Sequence, residues 1–165
     1  MKKLAVFLCV LAFVLVSCGG SDTPPLADGT PLTVEVTSSA AHFSKSARYP
    51  EIRLFTDYGS LETFLRIESA RFATDVDYRS ALFNATRGLD EAWFEDHDLL
   101  QITLADSSGA DFELTALYGF PGGKGVAQVS RIAPEKKGEE RAVFLWIVLE
   151  KGVFTAASDL VVSVS

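Results

Sequence analysis

Residues 142–149 read Ala-Val-Phe-Leu-Trp-Ile-Val-Leu, with no polar side chain among them. Eight residues are too few to cross a bilayer, which takes an apolar helix of about 20. A strand that is apolar on both faces is buried on both, so this stretch reads as the central strand of its sheet.

Period-two patterns surround it. Leu100, Ile102 and Leu104 alternate with Gln101, Thr103 and Ala105, and Phe112, Leu114, Ala116 and Tyr118 alternate with Glu113, Thr115 and Leu117. Residues 32–37, 52–55, 126–132 and 160–164 read as further strands. Leu32, Val34 and Val36 share one face of the first, and residues 38–50, polar and closed by Pro50, read as a loop. Short turns between successive strands predict antiparallel pairing. Between residues 57 and 96 the period lengthens to that of helices. Leu61, Phe64 and Leu65 mark one behind a cap at Ser60, and Tyr78, Ala81, Leu82 and Ala85 mark a second from Asp75 or Asp77 to Gly88. A short third spans 89–96, capped by Asp90, with Trp93 and Phe94 as buried knobs. The expected class is α+β: a mostly antiparallel sheet of about six to seven strands, with two or three short helices in the first half.

The N-terminus says where such a domain works. Met1-Lys2-Lys3 precedes thirteen uncharged residues, 4–16, and Leu15-Val16-Ser17-Cys18-Gly19 closes them. A basic start and a short apolar core are the pattern of a secretory signal. Leu-x-Ser-Cys resembles the lipobox of bacterial lipoproteins, which implies cleavage before Cys18 and acylation of its thiol. Residues 1–17 are then a signal peptide, 18–31 a lipidated cysteine with a Gly- and Pro-rich tether, and 32–165 one domain. A flexible tether of this length reaches roughly 20 Å. The domain would sit on the outer face of the cell membrane, or at the outer membrane in a cell with two. Cys9 leaves with the signal and Cys18 is acylated, so no thiol remains for a disulfide, a metal or a nucleophile. The net charge is −7 and falls by two more when Lys2 and Lys3 leave, which argues against nucleic acid as a partner.

No stretch carries a specific catalytic signature. Asp96-His97-Asp98, with Glu95 before it, could bind a cation or poise a base only if the backbone made the groups converge; otherwise it is an acidic helix exit. The glycines of residues 119–125 miss the phosphate-loop spacing and lack a Ser or Thr after Lys124, so they read as a hairpin tip. Phe120 and Lys124 would project from that tip, and Lys136 from the charged turn that follows, as contact loops. Residues 106–111 lack the calcium-loop pattern, and neither a Gly-x-Ser-x-Gly elbow nor a His-Glu-x-x-His pair occurs. Trp93 and Trp146 lie in apolar patterns that favour core packing over stacking on a sugar. No cofactor is expected.

Asp90-Glu-Ala-Trp-Phe-Glu95, the Leu99-Leu100 strand, the Ser108-Gly109 turn, Arg131-Ile-Ala-Pro-Glu135 and the Trp146 strand resemble a group of small lipoproteins of Gram-positive bacteria. More distantly, residues 90–164 are similar to the C-terminal domain of the accessory subunit of a secreted bacterial protease complex (PrcB). That family carries a Thr-Gly-Gly turn where this chain has Pro121-Gly122-Gly123. The resemblance implies a small β-rich domain behind a lipoprotein signal. The expected function is that of a membrane-anchored, non-enzymatic binding or accessory domain contacting another exported protein. The alternative is a surface lipoprotein that binds a small molecule or carbohydrate.

Overall fold

The computed structural model describes residues 28–136 and 138–165. The signal sequence, Cys18 and most of the tether lie outside the described residues. The fold is α+β, as expected, with eight strands rather than six or seven, in two four-stranded sheets. In chain order the elements are β1 (Thr30–Pro31), β2 (Glu35–Ala41), β3 (Glu51–Phe55), α1 (Tyr58–Arg71), α2 (Val76–Ala85), α3 (Trp93–Asp96), β4 (His97–Asp106), β5 (Asp111–Phe120), β6 (Lys124–Ile132), β7 (Arg141–Glu150) and β8 (Leu160–Val164). One sheet has the order β1-β5-β6-β8 and the other β2-β7-β4-β3.

The second sheet is the middle of three layers. Val143, Leu145, Ile147 and Leu149 of β7 and Leu100, Ile102 and Leu104 of β4 face the first sheet, where Phe112, Leu117, Val129 and Phe154 complete a core. The alternate residues Phe144 and Trp146 of β7 and Leu99 of β4 face the helices and meet Leu61, Tyr78, Leu82 and Phe94. β7 is therefore central and buried on both faces, as its composition requires. β4 is the strand expected from its alternation, but both of its faces are covered. It lies between β7 and β3 beneath the helical layer, so Gln101 and Thr103 are buried as well.

Other differences are local. The chain joins the fold earlier than residue 32, because Thr30 pairs with Gly119 and Pro31 with Tyr118. The predicted strand at 32–37 is displaced: β2 pairs with β7 from Glu35 to Ala41, into the predicted loop. Its small residues let α2 pack close, and Ser39 Oγ accepts a hydrogen bond from Trp146 Nε1 at 2.9 Å. Asp57, not Ser60, caps α1; its Oδ1 accepts from Ser60 N at 2.8 Å. Asp75 caps α2 through Tyr78 N at 2.9 Å, and that helix stops at Ala85, short of Gly88. Asp90 accepts from Trp93 N at 2.9 Å, but α3 is a single turn. One pairing is parallel: the link after β7 crosses between the sheets and lays β8 beside β6, Leu160 opposite Gly125.

Candidate functional site

The residues singled out in the sequence do not form one site. Phe120 and Lys124 flank the turn between β5 and β6, where Gly122 and Gly123 have φ of 82° and 74°, as a tight hairpin tip requires. Both side chains are engaged within the molecule. The Phe120 ring packs so closely on Gly29 that a Cβ there would lie 2.7 Å from Cζ. Lys124 Nζ is 3.1 Å from Asp159 Oδ1. Lys136 is exposed beyond the other end of β6, about 30 Å away at the usual rise per residue. The two hairpin tips cannot share a contact surface.

The acidic run around His97 does not converge either. His97 Nδ1 lies 3.1 Å from Trp93 O, and the imidazole stacks on the half-buried Trp93 ring with centroids 4.8 Å apart. Asp98 points to the opposite face of β4, 1% exposed, where Lys151 Nζ is 3.0 Å from Oδ1 and Gly152 N donates to Oδ2 at 2.7 Å. Among the described residues, no three His, Cys, Asp or Glu side chains are placed to hold a metal. Trp146 is buried in the aromatic core, so of the two indoles only Trp93 reaches the surface.

The structure instead presents a crevice of about 360 Å³ where the helical layer stops short of covering the middle sheet. Its floor follows from strand register. Glu51, Thr103 and Phe144 lie side by side across β3, β4 and β7, and Arg53, Gln101 and Trp146 form the next row. The C-terminal turn of α1, with Glu68, Arg71 and Phe72, makes one wall. The segment after β2, with His42, Phe43, Ser46 and Tyr49, makes the other.

The rim charges are neutralised in pairs. Arg53 Nη2 is 2.5 Å from Glu51 Oε1, and its Nη1 donates to Gln101 Oε1 at 3.1 Å. Arg71 lies 3.8 Å from Glu68, and His42 Nε2 lies 3.2 Å from Asp75 Oδ2. Glu68 also accepts the Tyr78 hydroxyl at 2.8 Å. Burial, and then that bond to Glu68, push the Tyr78 phenol well above its ordinary pKa, so it stays a donor. The walls carry aromatic surface: His42 stacks on Phe72 at 3.6 Å, and Phe43 stacks on Tyr49 at 6.2 Å.

The floor is not satisfied in this way. Thr103 is 4% exposed and Gln101 is fully buried, yet Thr103 Oγ1 and Gln101 Nε2 have no hydrogen-bond partner among the described residues. A buried polar group without a partner costs about 1–3 kcal/mol, so each such group in a native fold calls for an explanation. Nothing in the sequence pointed to the crevice itself. Gln101 and Thr103 occupied the alternate positions that a half-solvated strand gives to polar residues, and only their burial makes them unusual.

Comparison with protein-family models, with curated proteins and with solved structures finds no match in any of the three. No enzyme family or catalytic signature accompanies the crevice, and no helix among the described residues is long and apolar enough to cross a membrane.

Proposed function

We propose that this chain is a lipid-anchored, extracytoplasmic binding domain without enzymatic activity, and that the crevice between α1 and the middle sheet takes a small polar ligand. The observation that carries this reading is the buried Thr103 hydroxyl, without a hydrogen-bond partner among the described residues, on the floor of a polar crevice. A ligand that reached it would supply the missing hydrogen bond. Anchoring through Cys18 rests on the lipobox and keeps the crevice near the outer face of the membrane.

The test is thermal unfolding of the full chain against sugars, amino acids, nucleotides and carboxylates. One class should raise the melting temperature, because a ligand at a hundred times its Kd adds about 2.7 kcal/mol to stability. The Ala47→Trp variant, with a bulky ring on the crevice wall, should lose that response. Were no class to act, or were the variant to respond equally, the crevice would not be the site.

A second reading, contact with another exported protein, is favoured by a different surface. Ile67, Val76 and Phe83 are 55%, 66% and 47% exposed on the helical layer. Large apolar side chains gathered on one layer suit a protein contact better than the tied hairpin tip does. A photo-crosslinker replacing Phe83 should then capture one exported protein in cells, and Ile67→Asp in the same chain should abolish the capture.

A further inference from the structure

The geometry points to a neutral saccharide as the ligand of the crevice, an inference that rests on the crevice being the binding site. Apart from the Glu51–Arg53 pair, the floor holds no charge. Thr103 offers a hydroxyl and Phe144 an aromatic ring. The rim guanidiniums and carboxylates stand opposite one another as Arg53 with Glu51 and Arg71 with Glu68. A charged ligand would have to compete for these groups with the partner each already has, at a cost in binding. A neutral polyol has no such cost. Each hydroxyl both donates and accepts, so it can bond a carboxylate and a guanidinium without separating them.

Three groups remain free to meet hydroxyls. Arg71 is only loosely paired at 3.8 Å. Tyr49 Oη accepts from Ser44 N at 3.0 Å, which leaves its own hydrogen to donate. Thr103 Oγ1 lacks any partner among the described residues. His42, Phe43, Tyr49 and Phe72 line the walls beside these groups with aromatic side chains. Paired donors and acceptors together with aromatic walls match a pyranose, which is apolar above and below and hydroxylated around its edge. An amino acid or nucleotide fits less well, since its charge would have to compete with the pairs already formed in the lining.

The experiment is isothermal titration of the full chain, held in a detergent with no sugar headgroup. The probes are N-acetylglucosamine, galactose, maltose and maltotriose, set against glutamate, arginine and AMP. At least one neutral sugar should bind, and the charged probes should not. Thr103→Val keeps the shape and deletes the hydroxyl; it should weaken that sugar by roughly fivefold to tenfold, the value of one hydrogen bond, without lowering the melting temperature. Tyr49→Phe, nearer the surface, should weaken it similarly, and it serves if the floor variant fails to fold. Binding of charged probes alone would overturn the saccharide assignment while leaving the crevice as the site. Sugar binding indifferent to both variants would overturn the site as well, and so would the absence of binding by every probe.

Discussion

Two charged residues show how this domain handles charge in and out of its core. Asp98 is buried, and Lys151 supplies its counter-charge from the end of β7. Removing one member of a buried pair is costly because the other stays desolvated. Lys151→Met should therefore lower unfolding stability by about 3 kcal/mol in urea titration. Adding Asp98→Asn should recover most of the loss, since the amide oxygen still accepts from Gly152 N. Asp106 works at the surface. The hydrogen bond from Arg131 Nε at 2.7 Å, then those from Ser108, hold its carboxyl well below the ordinary 3.8. Its folded-state pKa is depressed, so the stability it contributes is present at neutral pH and is lost as pH falls below about 4 toward the folded value. The melting-temperature gap between wild type and Arg131→Met should therefore be widest near pH 7 and close on acidification. A gap that widened in acid would show that Asp106 is not the group responsible.

At the scale of elements, the link from β7 to β8 is tightly packed against β6. Gly125 begins the parallel pairing with Leu160, and Phe154 from the crossing segment lies against it. A Cβ at Gly125 would sit 2.5 Å from Phe154 Cε1 and 2.9 Å from Leu160 Cδ2. Gly125→Ala should cost about 1–3 kcal/mol by overpacking, and Phe154→Leu in the same chain should return part of it. An additive double variant would mean that the two positions do not press on each other. The elements also differ in how plainly the sequence declared them. β7 was legible because nothing polar interrupts it. α2 was legible from its spacing and from Asp75. β4 was legible as a strand, but the burial of Gln101 and Thr103 was not, since it is a property of the layer above them. β2 was displaced because Ser38, Ser39, Ala40 and Ala41 carry no strand pattern; their strand state comes from pairing with β7 under α2. The parallel β8 depends on a crossing between sheets, which local spacing cannot encode. The crevice was not legible for the same reason: its floor, rim and walls come from β3, β4, β7, α1 and the segment after β2, and no window of sequence contains them together.

The whole molecule has two cores of unequal depth. Among the described residues, thirteen buried ones from β4 through β8 interlock between the sheets. Under the helices there are eight, and of the fourteen residues of α1 only Leu61 is buried, while α2 buries Tyr78 and Leu82. Regions with few fully buried side chains open at lower free energy than the global transition. Amide hydrogens of α1 and α2 should accordingly exchange faster than those of β4 and β7 in native-state hydrogen exchange, although all of these elements are hydrogen-bonded. The crevice lies on the seam, with its floor in the slow layer and its wall in the fast one. A ligand bound there would touch both layers. Saturation with a bound sugar should therefore slow exchange most at residues 66–72 and 42–49, and leave β5 and β6, on the far sheet, unchanged. Protection confined to the β5–β6 turn would place the ligand at the hairpin tip instead, and uniform slowing of every amide would mean that the two layers unfold together.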